Sequence, residues 1–316
     1  MSNKKIKIFL AGHRGLVGSE IYDYLKNQGY KNVYFSTRRQ LDLLDQKKVN
    51  NYFSKNSFEA VIIAAAKVGG IYANNTMRAE FIYENTQIQN NLIHSAYKHN
   101  VKNLIFLGSS CIYPRECKQP IKENYLLTSQ LEKTNEPYAI AKINGIKLCE
   151  NYSNQYKLNY KSLMPTNIFG YNDNFNLETS HFLPAIIKKV SDAIINKKKI
   201  IYLWGDGSPK REIMFAGDLA RATVYFLEKK TKESLINIGT GYEKSIYKYA
   251  QFFIKNFNPK LKIKFIKKNL NGTPRKILDC NIAKKYKWRP IYDIETELKK
   301  VFINFHKKNL LKNKNL

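Results

Sequence analysis

The chain has 316 residues, 43% of them hydrophobic, which is enough for a large core in one or two domains. Its formal charge of +29 invites a nucleic-acid or membrane reading. Only nine arginines stand against 45 lysines, whereas base and phosphate recognition draws on the guanidinium fork; no nucleic-acid partner is expected, and no apolar stretch nears the ~20 residues that span a bilayer.

Strands and helices alternate along the chain. The pattern predicts a strand over Ile6–Ala11, a helix over Leu16–Asn27 and a strand over Asn32–Thr37 that ends at Arg38-Arg39. A helix over Leu43–Ser54 leads to a buried strand over Phe58–Ala66. A long helix, Ala79–His99, precedes the strand Leu104–Leu107. Pro137 suits the first turn of a helix over Tyr138–Tyr156, and Tyr160–Met164 reads as the next strand. This rhythm predicts an α/β fold, a Rossmann-type doubly wound parallel sheet with a smaller α/β C-terminal lobe for substrate.

After Gly170 the rhythm breaks. A helix is expected over His181–Asn196, a short strand over Ile200–Leu203 and a tight turn at Gly205-Asp206-Gly207-Ser208-Pro209. Ala216–Glu228 reads as helix and Leu235–Ile238 as a strand returning to the sheet. The expected division is residues 1–170 plus 214–240 for a nucleotide-binding domain, and 171–213 plus 241–316 for the smaller lobe. The basic tail, His306–Leu316, is poor in core residues and is expected to fray. The four cysteines, Cys111, Cys117, Cys149 and Cys280, show neither CxxC spacing nor a disulfide framework, which fits a reducing, cytoplasmic compartment; no metal site is expected.

Three motifs carry chemistry. Gly12-x-x-Gly15-x-x-Gly18 follows a strand and opens a helix, so backbone can approach a pyrophosphate at the helix N-terminus. The spacing departs from Gly-x-Gly-x-x-Gly, and glycines also simply end strands. Where an NAD enzyme often carries an acid for the ribose, this chain has Thr37-Arg38-Arg39; Arg38, with Arg14, can pair with a 2′-phosphate, which favours NADP (NADPH). Asp42 and Asp45 read as helix caps, or Asp42 as an adenosine contact. Next, Gly108-Ser109-Ser110-Cys111 stands at the C-terminal end of a buried strand, the edge where doubly wound sheets bind ligands. Finally, Tyr138 and Lys142 at i, i+4 share a helix face, where a lysine cation favours the phenolate and lowers the tyrosine pKa.

Together these residues resemble the extended short-chain dehydrogenase/reductases, and among them the GDP-L-fucose synthases, over about residues 5–305. The resemblance rests on long strings: Ala11-Gly12-His13-Arg14-Gly15, Ala64-Ala65-Ala66-Lys67-Val68-Gly69-Gly70-Ile71 and Gly108-Ser109-Ser110-Cys111-Ile112-Tyr113-Pro114. It continues in Thr134-Asn135-Glu136-Pro137-Tyr138-Ala139-Ile140-Ala141-Lys142, Met164-Pro165-Thr166-Asn167, Trp204-Gly205 leading to Arg211-Glu212, and Gly272-Thr273-Pro274-Arg275-Lys276 leading to Asp279. Departures are Tyr171 in place of a proline, a looser Phe215-Ala216-Gly217-Asp218, and Lys189 where arginine is more usual.

The resemblance implies 3,5-epimerisation of a 4-keto GDP-sugar followed by NADPH-dependent reduction at C4. It implies Cys111 as base, His181 as acid, and Ser109, Tyr138 and Lys142 at oxygen 4. Cofactor contacts are implied at Gly12, His13, Arg14, Gly15, Leu16, Val17 and Gly18, and at Arg38, Arg39, Gln40, Leu41, Asp42 and Leu43. Further ones are Leu107, Gly108, Ser109, Ser110, Lys142, Pro165, Thr166, Asn167, Ile168 and His181. Substrate contacts are implied at Lys189, Trp204, Arg211 and Asp279, and a homodimer through the Ala79–His99 and Tyr138–Tyr156 helices. A dehydratase would want an acidic pair where Cys111-Ile112 stands, a 4-epimerase needs no cysteine there, and a non-catalytic cofactor sensor would have lost Tyr138 or Lys142.

Overall fold

The computed structural model describes residues 4–266 and 273–314; Gly272 of the last motif and the final two residues of the expected tail lie outside them. The first strands are β1 (Ile8–Ala11), β2 (Val33–Tyr34), β3 (Ala60–Ile63), β4 (Asn103–Leu107) and β5 (Asn159–Pro165). They continue as β6 (Asn167–Phe169), β7 (Ile200–Trp204), β8 (Lys210–Phe215), β9 (Leu235–Ile238), β10 (Glu243–Ser245), β11 (Lys262–Ile266) and β12 (Arg275–Lys276). The helices are α1 (Leu16–Asn27), α2 (Gln46–Asn56), α3 (Ile71–Thr76), α4 (Arg78–Lys98) and α5 (Glu136–Tyr156). Then come α6 (Phe182–Ile195), α7 (Ala216–Glu228), α8 (Ile246–Phe257), α9 (Asn281–Lys285) and α10 (Ile294–Lys314).

A six-stranded sheet runs in the order β2-β1-β3-β4-β5-β9, parallel throughout. Ala60-Val61-Ile62-Ile63 is buried at every position, because helices cover both faces and no residue of the strand meets water. Phe9, Phe53, Leu92 and Phe106 pack on one face, and Ile8, Ile21, Ile105 and Phe226 on the other. The chain leaves β1 toward β2 on one side and β3 on the other, which opens a crevice at the carboxyl ends of β1 and β3.

The remaining strands form smaller sheets. β8 pairs with β10 antiparallel and with β6 and β12 in parallel, while β11 pairs with β7. Phe169, Leu183, Ile187, Phe253 and Phe302 fill the core between α6, α8 and α10.

Several boundaries differ from the sequence reading for local reasons. α2 starts at Gln46 because the Asp45 carboxylate accepts the Lys48 backbone N–H at 3.0 Å and caps it. The second strand stops at Tyr34, and Thr37 instead starts a turn whose backbone N–H donates to Gln40 Oε1. The short α3 was not anticipated. The tail does not fray through its described length: α10 continues to Lys314, His306 Nδ1 lies 3.0 Å from Ser191 Oγ, and buried Asn309 donates to Asp192.

Candidate active site

The C-terminal ends of β1, β2, β4 and β5 carry the expected cofactor residues. Gly12 has φ +89, a left-handed conformation glycine adopts without strain, and the Gly15 N–H donates to its carbonyl at 3.1 Å. A Cβ on Gly18 would lie 2.0 Å from the Gly12 oxygen, and one on Gly12 would lie 2.6 Å from Ala65 N. The loop is therefore a backbone cradle at the start of α1, with Leu16 and Val17 in its first turn, and this fits a pyrophosphate. His13 stacks on Phe35 at 4.2 Å. Arg14, Arg38, Arg39 and Gln40 are exposed, with Leu41 buried and Asp42 and Leu43 half-buried. The Asp42 carboxylate accepts the Leu44 N–H at 3.1 Å, so it serves the turn before α2. Among the described residues neither Arg14 nor Arg38 forms an ion pair, and both fit a phosphate.

At the end of β4, Gly108 packs under Met164, whose Cε a Cβ would meet at 2.0 Å. Ser109 caps the short 3₁₀ turn Ser110–Ile112, its hydroxyl accepting the Cys111 N–H at 3.3 Å. Pro165, at the end of β5, and Thr166 after it are buried, Ile168 is half-buried, and Thr166 and Asn167 side chains donate to the Glu212 carbonyl. α5 approaches β4 closely because Gly145 lies against the Phe106 ring, where a Cβ would be 2.6 Å from the ring. That closeness lets Lys142 Nζ donate to the Leu107 carbonyl at 2.7 Å, 4.7 Å above the Phe106 ring and 5.7 Å from the Tyr138 ring centre.

A cleft of about 260 Å³ brings together Ser109, Cys111, Tyr138, Asn167, His181, Lys189, Trp204 and Arg211. His181 is the N-cap residue of α6, and the loop before it is tied by the Gly70 N–H donating to Thr179 O at 2.7 Å. Lys189 Nζ donates to the Tyr202 carbonyl at 2.8 Å and lies 5.3 Å over the Trp204 ring. Trp204 is 40% exposed and so offers a stacking face. Buried Asn74 Oδ1, Asn135 Oδ1 and Ser180 Oγ accept no hydrogen bond within the described protein, and all three residues line this cleft. A polar ligand with several hydroxyl groups would satisfy them.

Asp279 is not brought to the cleft. Its carboxylate accepts from Asn281 N at 2.8 Å and Asn281 Nδ2 at 3.1 Å, capping the turn into α9. The expectation of a lowered Tyr138 pKa is corrected. Burial pushes the Tyr138 phenol well up, with the Cys111 thiolate adding to it, and this outweighs Lys142, which donates to a carbonyl and is itself pulled down to about 8 by burial. Burial likewise raises the Cys111 thiol, against the opposing pull of Lys276, the Ser109 hydrogen bond and Lys142. His181 opens onto the cleft but is walled by protein elsewhere, which lowers its imidazole. Arg211 is pulled down to about 10 by burial, opposed by Glu132.

Sequence reasoning assigned no role to Glu132, Asn135 or Lys276, all of which line the cleft. Asn135 and Lys276 stood inside quoted motif strings, but nothing local in those strings shows what either side chain faces.

A parallel sheet with a phosphate cradle and a Ser, Tyr, Lys set at its carboxyl edge defines a nucleotide-dependent oxidoreductase class. The NAD dependent epimerase/dehydratase family model matches residues 8–239. GDP-L-fucose synthase 1 of Arabidopsis thaliana is 47% identical over 304 residues, 96% of this chain and 94% of that protein. GDP-L-fucose synthase of Escherichia coli K12 is 43% identical over 303 residues, 93% of this chain and 94% of that one. A GDP-mannoheptose C4 reductase from Campylobacter jejuni, solved with NADP bound, is 31% identical with a TM-score of 0.87, over 96% of this chain and 99% of that chain. The chain belongs to the NAD dependent epimerase/dehydratase family, and within it to the GDP-L-fucose synthases.

Proposed function

We propose that the protein converts GDP-4-dehydro-6-deoxy-D-mannose to GDP-L-fucose, by epimerisation at C3 and C5 followed by NADPH-dependent reduction at C4. The observation that carries this reading is the convergence of Ser109, Cys111, Tyr138 and His181 on one cleft, with Lys142 directly behind them and Lys189, Trp204 and Arg211 in the same cleft wall.

The substrate carbonyl at C4 acidifies the protons at C3 and C5. The Cys111 thiolate takes the C3 proton and becomes a thiol, and the C–H bonding pair passes into an enolate on oxygen 4. Ser109 and Tyr138 donate hydrogen bonds to that oxygen, and the Lys142 ammonium adds positive potential. His181, as imidazolium, returns a proton to C3 on the opposite face. Its lowered pKa leaves the neutral form dominant in the protein alone, so the acid form depends on the negative charge that the diphosphate and enolate bring. The same exchange inverts C5, and thiol and imidazole then trade protons with water to reset.

The phosphate cradle, Arg14 and Arg38 would hold NADPH, which supplies the hydride for C4. Tyr138 gives its proton to oxygen 4, and Lys142 stabilises the phenolate left behind. Trp204 stacks on the guanine and Arg211 clamps the diphosphate, while Lys189 supplies a point charge in place of a fork. Residues 1–170 with 214–240 form the cofactor domain in this reading, and 171–213 with 241–316 the substrate lobe. A homodimer through α4 and α5 is part of the same proposal: Tyr83 and Ile140 are exposed on these helices, and Tyr97, Tyr152 and Tyr156 form a ring cluster between them. A cytoplasmic location is proposed on the four unpaired cysteines.

A second reading is a GDP-sugar C4 reductase without epimerase activity, motivated by the likeness to the Campylobacter jejuni GDP-mannoheptose C4 reductase. Cys111 beside Ser109 favours the first. Incubation with NADPH and the keto sugar, with the product identified by NMR, tests it: GDP-L-fucose supports the bifunctional reading, and a C4-reduced but unepimerised sugar supports the second.

A further inference from the structure

We propose that Lys276 is a positioning residue for proton removal, its ammonium group supplying positive charge that favours ionisation of the Cys111 sulfur against its burial. The inference deepens the epimerase reading and rests on it.

Lys276 ends β12, which pairs in parallel with β8 so that Lys276 stands opposite Arg211. The strand is fixed by its neighbours: Lys210 N donates to Pro274 O at 2.9 Å, and Leu278 N to the buried Glu212 carboxylate at 2.9 Å. This register sets the lysine into the wall of the cleft that Cys111 also lines. Two other lysines at the cleft are committed, Lys142 to the Leu107 carbonyl and Lys189 to the Tyr202 carbonyl. The Lys276 ammonium has no hydrogen-bond acceptor among the described residues, so its N–H groups as well as its charge face the cleft.

The groups facing Cys111 are Lys276, Lys142 and the Ser109 hydroxyl, with Tyr138 and His181 across the same cleft. Lys276 faces Cys111, Arg211, Glu132 and Cys117. Burial opposes the thiolate, and Lys276 is the largest influence working against burial, ahead of Ser109 and Lys142. The effect is mutual, since Cys111 raises Lys276 where burial and Arg211 lower it. In this role Lys276 acts through its charge alone, and the sulfur takes a proton from carbon and releases it to water without the lysine joining the transfer.

Lys276→Met and Lys276→Arg test this in two ways. Iodoacetamide alkylation of Cys111, followed on its own peptide by mass spectrometry as pH is varied, needs no substrate. Deuterium wash-in at C3 and C5 of the keto sugar in heavy water reports proton removal. For Lys276→Met we expect the alkylation midpoint to rise by about one pH unit and wash-in at pH 7 to fall roughly tenfold or more, recovering as the pH is raised; Arg should restore most of both. An unmoved alkylation midpoint would overturn the proposal, as would a raised KM with unchanged wash-in kcat and pH profile, which would make Lys276 a phosphate contact. Absence of wash-in from the unaltered enzyme would instead defeat the epimerase reading, while the alkylation arm would still decide whether Lys276 governs Cys111.

Discussion

The buried Glu212 carboxylate accepts the Leu278 backbone N–H at 2.9 Å, and so fixes the strand two residues from Lys276. Its other oxygen accepts Thr240 N and Gly241 N, both at 2.7 Å. One side chain thus joins β8, the turn after β9 and the segment after β12. Glu212→Gln places an amide NH₂ against one of these donors. The expected cost is about 2 kcal/mol, with a fall of several degrees in Tm by thermal unfolding. An unchanged Tm would mean that the turn and strand are held by packing alone.

Arg38 is exposed and forms no ion pair among the described residues at the turn after β2, and no acid stands where a ribose-binding carboxylate would be. Arg38→Ala should raise the KM for NADPH by one to two decades and leave that for NADH nearly unchanged, since a charge-assisted phosphate contact is worth roughly 1.5–3 kcal/mol. Parallel steady-state kinetics with both cofactors check this. Equal use of the two by the unaltered protein would remove Arg38 from the phosphate site.

Lys161, in the middle of β5, is 2% exposed and donates to the Phe226 carbonyl at 3.0 Å and to Asn159. Burial pulls its pKa down from 10.5 to about 7. Between those values the unfolded chain binds a proton that the native protein does not, so stability from this group rises with pH across that window and is lost as pH falls toward 7. Lys161→Met should therefore stabilise the fold by about 1–3 kcal/mol below pH 7, less the two hydrogen bonds, and the gain should vanish toward pH 10. Thermal unfolding of both proteins at pH 6.5 and 9.5 measures it; a gain independent of pH would show that Lys161 is charged in the fold at both.

The sequence made the central sheet legible because a strand covered on both faces is apolar at nearly every position, as in Ala60–Ile63 and Leu104–Leu107. The small strands β6, β10 and β12 have three residues or fewer and no period to read. The tail misled for a related reason: His306 and Asn309 are polar, and only their packing against Ser191 and Asp192, more than a hundred residues earlier, makes them interior. Ser109, Cys111, Tyr138 and Lys142 could be read from motifs because each motif is local. Lys276 could not, since its place depends on β12 pairing with β8 across a separation of 65 residues. The electrostatics were the least legible, because whether a tyrosine is lowered beside an i, i+4 lysine depends on how deeply the fold buries the pair.

The central claim is that Cys111 removes protons from carbon, and Cys111→Ser tests it most directly. Serine nearly matches cysteine in shape, so the turn capped by Ser109 should survive, but a hydroxyl is too weak an acid to supply the base near pH 7. Reduction does not draw on Cys111, since Ser109, Tyr138 and Lys142 remain. With NADPH and the keto sugar in heavy water, NMR of the product should show GDP-6-deoxy-D-mannose or its C4 epimer, formed slowly and without deuterium at C3 or C5. GDP-L-fucose carrying deuterium at both carbons, formed by the serine variant at the normal rate, would contradict the account.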